Sequence, residues 1–560
     1  MQAMERLEAD ISYLQDLYQH GSEQLAGETS RFISEHAGMV SAQKDAVFAK
    51  AVEKFNQGKV YASEQLCRLL LQSHPEDIKG LHLLATIATR LGQHEDAADL
   101  LLHCLDINPN LPFLRYELAN AFFKSGKYQP SLDLCTELLQ YDSRNVEVAV
   151  LRAASLVKLG HYEEANRQYE GILEINPEDV QVLLRYGIAL RIVGRTQEAI
   201  DTFRAVLSRE PENGEAYWNL ANLKTFHFGQ GDIEAMRAAL HAEKAPVLAR
   251  VHLLFALGKA MDDSQQFEAA FQYYFEANEL ARSLVSYDPE DTTNLVVRCE
   301  QVFTRQYFES RQHACDAEDP IFIVGLPRSG STLLEQVLSN HSAIDATMEL
   351  AEIAVMVRSL NNPNRTGLSS QFPGVLTQLK QEELRRLGQE YLKRTKPFRG
   401  NKPFFIDKAP HNFLHIGLIA SILPHAKIID ARRNPYACGL SIYQQYFARG
   451  TGYAYDLGHI GRYYRDYMRL MNHWHAVLPG RILTVNYEDV VADTEGQVRR
   501  ILEYCKLDFQ PSCLEFYKSK RPVATVSSEQ VRQPVYNSSL EHWRNYEQYL
   551  DPMKTALGQA

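Results

Sequence analysis

The sequence lacks the features that mark a zinc protein, a disulfide-stabilised protein or a membrane protein. Its eight cysteines form no Cys-x2-Cys pair and no histidine cluster accompanies them, so we expect neither a zinc site nor a disulfide framework. No run of about 18 apolar residues occurs, so we expect no membrane span. The first residues lack a basic stretch followed by an apolar one, so we expect no signal peptide. Reduced, mostly buried thiols in a cytoplasmic protein fit this pattern.

An excess of positive charge is also absent. The formal net charge is −11, which argues against general nucleic-acid binding but leaves room for a local basic pocket. The chain has 560 residues, of which 45% are hydrophobic and 23% are charged. This length and composition predict two or more domains with a sizeable core.

One stretch, residues 320–332, has the pattern of a strand, a tight loop and a helix. Residues 321–324 are apolar and mostly β-branched, which is typical of a buried strand. Gly325 and Gly330 bound the loop, and good helix formers follow it. Loop N–H groups and the helix dipole favour a bound anion, and Arg328 adds a full positive charge with two-pronged geometry.

The same stretch lacks the lysine of an ATP-hydrolysing P-loop. The spacing Gly-x4-Gly is present, but Ser331 occupies the position of the Walker lysine, and Thr332 follows. We therefore expect a phosphate-type anion here without hydrolysis of a nucleoside triphosphate. The alternative is an ordinary strand–helix turn, which would have no use for Arg328.

The N-terminal half repeats every 34 residues. Each glycine of the repeat suits a turn between two helices, and the small residues allow paired helices to approach closely. This pattern resembles tetratricopeptide repeats, which have this period and a helix–turn–helix unit. Such an array offers a concave surface for a peptide or protein partner, although a spacer or a homodimerisation surface remains an equal alternative. The series are Gly58, Gly92, Gly126, Gly160 and Gly194; Pro75, Pro109, Pro177 and Pro211; Ala85, Ala119, Ala153, Gly187 and Ala221; and Ser63, Ala97, Ser131, Ala165 and Ala199.

The C-terminal half alternates predicted strands with predicted helices. Strands are predicted at 321–324, 403–408, 426–431 and 482–485, which implies a parallel α/β sheet. Ligands of such sheets bind at the carboxyl ends of the strands, where Arg328, Lys408, Arg433 and Tyr487 fall. The predicted fold is an α-solenoid followed by a P-loop-like α/β domain. We expect a helical segment at 1–44, repeats at 45–240, a helical cap and linker at 241–318, and the α/β domain at 319–560.

Residues 320–545 resemble the sulfotransferase family, and specifically the protein-tyrosine sulfotransferases. Arg433 and Ser441, eight residues apart, are similar to the family's 3′-phosphate motif, and Tyr487 resembles a tyrosine of its nucleotide pocket. The resemblance implies that these groups bind 3′-phosphoadenosine 5′-phosphosulfate (PAPS). The residues similar to the family's 5′-phosphosulfate loop are Pro327, Arg328, Ser329, Gly330, Ser331 and Thr332.

The resemblance also implies the catalytic residues. Glu349 lies 21 residues after Arg328, where these enzymes have a catalytic glutamate, and would act as general base. Lys408 resembles the lysine that reaches the leaving phosphate, and Ser527 resembles a serine near the transferred group. His411 is the competing base, with a turn cap or an acceptor cleft as its other interpretations. The chemistry demands no metal.

Two positions depart from the family pattern. His542 replaces a lysine that contacts the cofactor, and Ala351 replaces an arginine two places beyond the glutamate. The resemblance implies transfer of a sulfuryl group to a hydroxyl, with adenosine 3′,5′-bisphosphate as product. A peptide tyrosine, which the repeats could deliver, is the favoured acceptor, and a carbohydrate or small-molecule hydroxyl is open. The competing hypotheses are a P-loop kinase or NTPase, and a non-catalytic repeat scaffold with a nucleotide-sensing domain.

Overall fold

The structure, a computed structural model, describes residues 2–20, 24–242, 245–310, 314–361, 371–447, 450–519, 521–525, 527–535 and 540–558. It divides into two compact units, Met1–Pro177 and Glu178–Ala560. The first unit is helical. Its helices are α1 Gln2–Gln19, α2 Leu25–Ala42, α3 Lys44–Asn56, α4 Val60–Ser73, α5 Ile78–Arg90, α6 His94–Ile107, α7 Pro112–Lys124, α8 Tyr128–Tyr141, α9 Val146–Lys158 and α10 Tyr162–Ile175.

The repeat residues of the first unit act as the sequence predicts. Gly58, Gly92, Gly126 and Gly160 all have positive φ, between 76° and 83°, in the turn inside each helix pair. Asp77 and Asn145 cap the following helices by accepting a hydrogen bond from the backbone N–H three residues on. The small residues of the last series are fully buried between paired helices. The helix–turn–helix repeats are therefore confirmed.

The second unit begins with helices α11 Val180–Val193, α12 Thr196–Arg209, α13 Gly214–Asn222, α14 Gln230–Leu240, α15 Val247–Asp263, α16 Phe267–Ser283, α17 Pro289–Val302 and α18 Arg305–Glu309. At two close contacts between these helices, the small residue is glycine. A Cβ on Gly187 would lie 2.5 Å from the ring of Phe203, and one on Gly258 would lie 2.6 Å from the ring of Tyr274. Glycine at these two positions lets each helix approach an aromatic ring of its neighbour.

The rest of the second unit is an α/β domain with a five-stranded parallel sheet in the order β2-β3-β1-β4-β5. The short strand β2 was missed in the sequence, because its three residues form no apolar run. The strands are β1 Pro320–Gly325, β2 Ile344–Ala346, β3 Phe404–Lys408, β4 Lys427–Arg432 and β5 Ile482–Asn486. The helices are α19 Ser331–Ser339, α20 Glu352–Leu360, α21 Gln381–Thr395, α22 Ile416–Ile422, α23 Pro435–Tyr443, α24 Leu457–Val477, α25 Tyr487–Ala492, α26 Thr494–Tyr504 and α27 Asp551–Leu557.

The sheet is buried on both faces, because successive side chains of a strand point to opposite sides. Ile321 and Ile323 join the core beneath α19. Phe322 faces the other way, with its ring centroid 5.6 Å from that of Tyr391 on α21. The predicted α-solenoid and parallel α/β sheet are both present.

The helices before the sheet are bonded to the α/β domain within the second unit. The side-chain amide of Asn278 on α16 donates to the carbonyl of Tyr443, which ends α23, at 2.9 Å. The amide of Gln445 donates to Asn222 Oδ1 at 3.0 Å. Both bonds are buried, so they hold α13 and α16 in place beside α23, which also carries Ser441.

Gly325, the last residue of β1, is constrained both by its backbone conformation and by a close neighbour, so substituting it tests the loop geometry. Its φ is +141°, and a Cβ would lie 2.4 Å from the carbonyl oxygen of Ala431. We expect Gly325→Ala to lower the free energy of unfolding by about 2–4 kcal/mol. Gly231→Ala on α14, where a Cβ meets nothing within 4 Å, should change it by less than about 1 kcal/mol.

Urea unfolding followed by tryptophan fluorescence measures both variants. The three tryptophans, Trp218, Trp474 and Trp543, all lie in the second unit, so the signal reports on the unit that contains Gly325. Equal midpoints for the two variants would contradict the strained geometry.

Candidate functional site

The loop between β1 and α19 adopts a left-handed backbone at two places. Gly330 has φ +94°, and a Cβ there would lie 2.7 Å from the ring of Tyr487. Arg328 has φ +66°, which costs of order 1 kcal/mol for a residue with a side chain. The first N–H groups of α19 have no partner inside the helix, and they start where this loop ends. The loop therefore has the form of an anion cradle.

The guanidinium of Arg328 connects three parts of the second unit. Its Nε donates to Ser441 Oγ on α23 at 2.9 Å. Its Nη1 donates to Ser527 Oγ at 2.5 Å, and its Nη2 donates to Gln530 Oε1 at 3.1 Å. Two of the predicted site residues, Ser441 and Ser527, therefore contact the same side chain.

The other loop residues are held by local contacts. The carbonyl of Pro327 accepts a hydrogen bond from the Cys438 thiol at 3.4 Å. Ser331 is buried, and the hydroxyl of Thr332 lies 3.4 Å from that of Thr525. The hydroxyl of Ser329 is buried and has no hydrogen-bond partner among the described residues. The loop thus holds one buried polar group that a bound anion can satisfy.

The two arginines after β4 have different neighbours. Arg432 Nε donates to Asp430 Oδ2 at 2.6 Å, and that buried carboxylate also accepts from Tyr467. Arg433 turns the other way. Its Nη1 donates to the carbonyl of Arg328 at 3.3 Å, and its guanidinium lies 4.8 Å from the centre of the Tyr487 ring. Arg433 is therefore the arginine that reaches the loop.

Two cavities meet at Arg328, Arg433 and Gln530. The first, here called the loop cavity, is lined by Gly330 to Leu333, Tyr487, Phe516, Ser527, Val531 and Gln533 to Val535 in addition to those three residues. The second, here called the basic cavity, has a volume of about 380 Å³. Its other lining residues are Lys224, Lys259, Asp262, Asp263, Tyr274, Ala437, Leu440, Ser441, Gln444, His542 and Trp543.

Both cavities open at the place where ligands of parallel sheets bind. After β1, the chain forms β2 and β3 on one side of that strand within the sheet, and it then crosses to form β4 on the other side of β1. The crevice beyond the carboxyl ends of β1 and β4 is therefore the topological switch point. Arg328 follows β1, and Arg433 follows β4.

Lys408 at the end of β3 lies in a network of charges. Its side chain is 1% exposed, contacts the carboxylate of Glu349, and lies 3.9 Å from Glu335 Oε2. Arg521 donates to Glu335 Oε1 at 2.9 Å. The side chain of Glu349 is 54% exposed. The network therefore keeps a buried cation next to a carboxylate that is open to solvent.

The competing base, His411, follows β3 in the 3₁₀ helix Pro410–His415. Burial lowers the pKa of its imidazole, so the neutral form prevails at neutral pH. Its Nε2 lies 3.2 Å from the hydroxyl of Tyr453. His411 thus retains the protonation state of a base but has a tyrosine as neighbour.

The two departures from the family pattern lie in different surroundings. His542 lines the basic cavity, with Nε2 3.2 Å from Asp262 Oδ1. Ala351 immediately precedes α20 and lines neither of the two cavities.

Several residues of the site were not identified in the sequence. Glu335 was visible as a polar residue among the apolar positions of α19, and its burial is the signal that could have been followed. Arg521, Gln530 and the lysines Lys224 and Lys259 carried no local pattern. They reach the site only through the packing of segments that are distant in sequence.

The fold is that of a P-loop-like α/β domain, and the comparisons show which families match parts of the chain. The model of the Sulfotransferase family matches residues 320–511, and Tetratricopeptide repeat models match residues 78–111 and 150–213. The chain therefore combines tetratricopeptide repeats with a sulfotransferase-family domain.

Curated relatives also match parts of the chain. An uncharacterized protein of Aquifex aeolicus is 35% identical over 329 residues, covering 57% of this chain and 43% of its own. A protein-tyrosine sulfotransferase of Drosophila melanogaster is 24% identical over 273 residues, covering 45% of this chain and 52% of its own. The chain thus spans about half the length of these two curated relatives.

Among solved structures, the sulfotransferase domain of the Synechococcus PCC 7002 olefin synthase is 22% identical, with a TM-score of 0.32. It covers 41% of this chain and 89% of that one.

Within the described ranges, no group of three or more His, Cys, Asp or Glu side chains is arranged to hold a metal ion. No helix in the described part of the chain is long and apolar enough to cross a membrane. All eight cysteines are free, and all except Cys315 are buried.

Asp407, beside Lys408 on β3, makes a prediction about pH. Burial raises the pKa of its carboxyl from 3.8 to about 8, and Tyr391 donates to Oδ2 at 2.8 Å. The folded state binds this proton more tightly than the unfolded chain does. The stability it contributes is therefore fully present below about pH 4 and is lost as the pH rises through about 8.

We expect Asp407→Asn, which carries no charge at any pH, to escape that loss. Its free energy of unfolding should rise relative to the parent protein by about 1 kcal/mol per pH unit between about pH 5 and 7. Urea unfolding at several pH values measures the difference, with Asp551→Asn, at a side chain 76% exposed, as control. A difference independent of pH would contradict a protonated Asp407.

Proposed function

We propose that the protein is a PAPS-dependent sulfotransferase. The observation that carries the proposal is the position of Arg328, whose guanidinium contacts both Ser441 and Ser527 while Arg433 supports its backbone carbonyl. The loop for a 5′-phosphosulfate and the arginine–serine pair for a 3′-phosphate thus share one crevice. This agreement supports a nucleotide with phosphate-type groups at both positions, in a domain that matches the sulfotransferase family.

The residues present fit such a cofactor. The hydroxyl of Ser329 is buried without a hydrogen-bond partner among the described residues, so it can donate to a phosphate oxygen. Gly330 has no side chain, which leaves room beside the ring of Tyr487. In the proposal, the loop from Pro327 to Thr332 holds the 5′-phosphosulfate. Arg433 and Ser441 hold the 3′-phosphate, and Tyr487 flanks the nucleotide. PAPS would supply the sulfuryl group in an activated form.

The catalytic roles follow from charge and exposure. Glu349 is open to solvent, so it can accept the proton of the acceptor hydroxyl and make that oxygen nucleophilic. Lys408 is buried beside it and stabilises negative charge that develops on the leaving phosphate. Ser527 orients Arg328 toward the same place.

The acceptor in this proposal is a peptide tyrosine. The support is the similarity to two protein-tyrosine sulfotransferases at 24% identity and the presence of repeats that generally bind proteins. Ala351, in place of the family arginine, removes a charge that would favour acidic peptides. A carbohydrate or small-molecule hydroxyl is the second acceptor class that the assays should include. The free thiols are consistent with a reducing compartment such as the cytoplasm.

The cofactor assignment makes a binding prediction. We expect adenosine 3′,5′-bisphosphate to bind at least about tenfold more tightly than 5′-AMP, because only the former offers a 3′-phosphate to Arg433. Arg433→Ala should remove that preference while leaving 5′-AMP affinity nearly unchanged. Isothermal titration calorimetry measures both ligands.

Arg394→Ala, at an exposed arginine on α21, is the control for lost positive charge. ATP is titrated as a third ligand. Equal affinities of the parent protein for ATP and the bisphosphate would contradict the proposal and favour a P-loop nucleotide enzyme. Absence of any nucleotide binding would also contradict the proposal.

The assignment of the base makes a kinetic prediction. We expect Glu349→Gln to lower kcat by about 10²–10⁴-fold while bisphosphate affinity stays within about threefold. Release of the bisphosphate from PAPS is followed with tyrosine peptides, sugars and phenols as acceptors. His411→Asn is the matched variant, since it removes the competing base. If Glu349→Gln keeps its activity and His411→Asn loses it, the base is His411.

A further inference from the structure

The basic cavity contains a cation from outside the sulfotransferase-family domain. Lys224 belongs to the turn after α13, within the repeat half of the sequence, yet it lines the cavity together with Arg328, Arg433 and Ser441. The match to the sulfotransferase family begins only at residue 320. The helical part of the second unit therefore forms one wall of the cavity.

The position of Lys224 is set by its backbone and by one side-chain contact. Its φ is +60°, which turns the chain at the end of α13. Its Nζ donates to Gln445 Oε1 at 3.1 Å, and the amide of Gln445 donates to Asn222 at 3.0 Å. Gln445 lies four residues after Ser441, so the lysine is tied to the segment that carries the 3′-phosphate motif.

The acidic groups of the basic cavity have other cationic or polar partners. Asp263 pairs with Lys259, which also donates to the carbonyl of Phe226 at 2.8 Å. Asp262 lies 3.2 Å from His542 and accepts from Tyr546. Lys224 takes part in none of the ion pairs found among the described residues, and its Gln445 contact is neutral. The cavity thus gathers positive charge without a matching anion for this lysine.

We propose that Lys224 binds the 3′-phosphate of the nucleotide from the side opposite Arg433, so that the repeat half completes the cofactor site. This inference rests on the proposed function. Phosphate is the chemistry that this part of the cavity fits, because the Lys224 ammonium, the Ser441 hydroxyl and the guanidinium groups of Arg328 and Arg433 all line it, while Asp262 and Asp263 have the partners named above.

The charge state of Lys224 supports this role. Burial, followed by the positive charges of Arg328 and Lys259, lowers the pKa of its ammonium to about 7. A phosphate dianion beside it favours the charged form, so binding should be accompanied by uptake of a proton. The charged or titratable groups that face it are Arg191, Lys259, Asp262, Asp263, Tyr274, Arg328, Arg433 and His542.

The test compares two variants of Lys224 with two ligands. Lys224→Gln removes the charge but keeps a side chain that can bond Gln445, and Lys224→Arg keeps a charge. We expect Lys224→Gln to weaken adenosine 3′,5′-bisphosphate binding by about 10- to 100-fold and 5′-AMP binding by less than about threefold. Lys224→Arg should stay within about tenfold of the parent protein. Calorimetry measures all four affinities.

A second readout separates a binding role from a structural one. In buffers of different ionisation enthalpy at pH 8, the parent protein should take up about 0.5 to 1 proton per bound bisphosphate. Both variants should take up almost none, because neither has the titrating ammonium. His542→Gln tests the share of the neighbouring imidazole in this proton uptake. Lys393→Gln, at an exposed lysine on α21, is the control and should match the parent protein.

The outcomes distinguish the two proposals. If the parent protein prefers the bisphosphate and Lys224→Gln leaves that preference intact, the role of Lys224 is overturned and the proposed function stands. If the parent protein shows no preference for the bisphosphate, the proposed function fails first. Loss of both ligands together with a lower unfolding temperature in Lys224→Gln would assign the lysine a structural role instead, provided that Lys224→Arg behaves likewise.

Discussion

The side chain of Arg328 is the interaction on which the rest of the site depends. It extends from a left-handed backbone position and contacts α23 and the C-terminal segment at the same time. Such a conformation is unfavourable in isolation, so it persists because contacts on several sides hold it. The loop, the helix that carries Ser441 and the residues around Ser527 are therefore linked through this one side chain.

The arrangement of charge divides the site into two environments. The positive charges of Lys408 and Arg521 are balanced by the carboxylates of Glu335 and Glu349, so the burial of the lysine is tolerated. Around Arg328, Arg433 and Lys224, cations gather with fewer anions within reach. The first environment suits proton transfer and charge stabilisation, whereas the second suits retention of an anionic ligand. Both environments lie at the carboxyl end of the sheet.

The local patterns of the sequence predicted the parts of the fold that local patterns determine. Glycines at a fixed spacing identified the turns of the repeats, and short apolar runs identified the four longer strands. The strand Ile344–Ala346 was not predicted, because its extended conformation comes from pairing with β3 rather than from its own composition. Lys224 and Arg521 escaped for the same kind of reason, since only tertiary packing brings them to the site. The roles of the predicted site residues remain predictions that the geometry makes specific.

The hydrogen bonds from Asn278 to Tyr443 and from Gln445 to Asn222 bear on the modularity of the chain. An α/β half expressed from Pro320 onward would expose the surfaces that bond to α13 and α16, and the basic cavity would lose the wall that Lys224 and Lys259 provide. The region that matches the sulfotransferase family is thus shorter than the part of the chain that encloses this cavity. Exchanging the preceding helices between relatives would consequently change the cavity as well as the helical region itself.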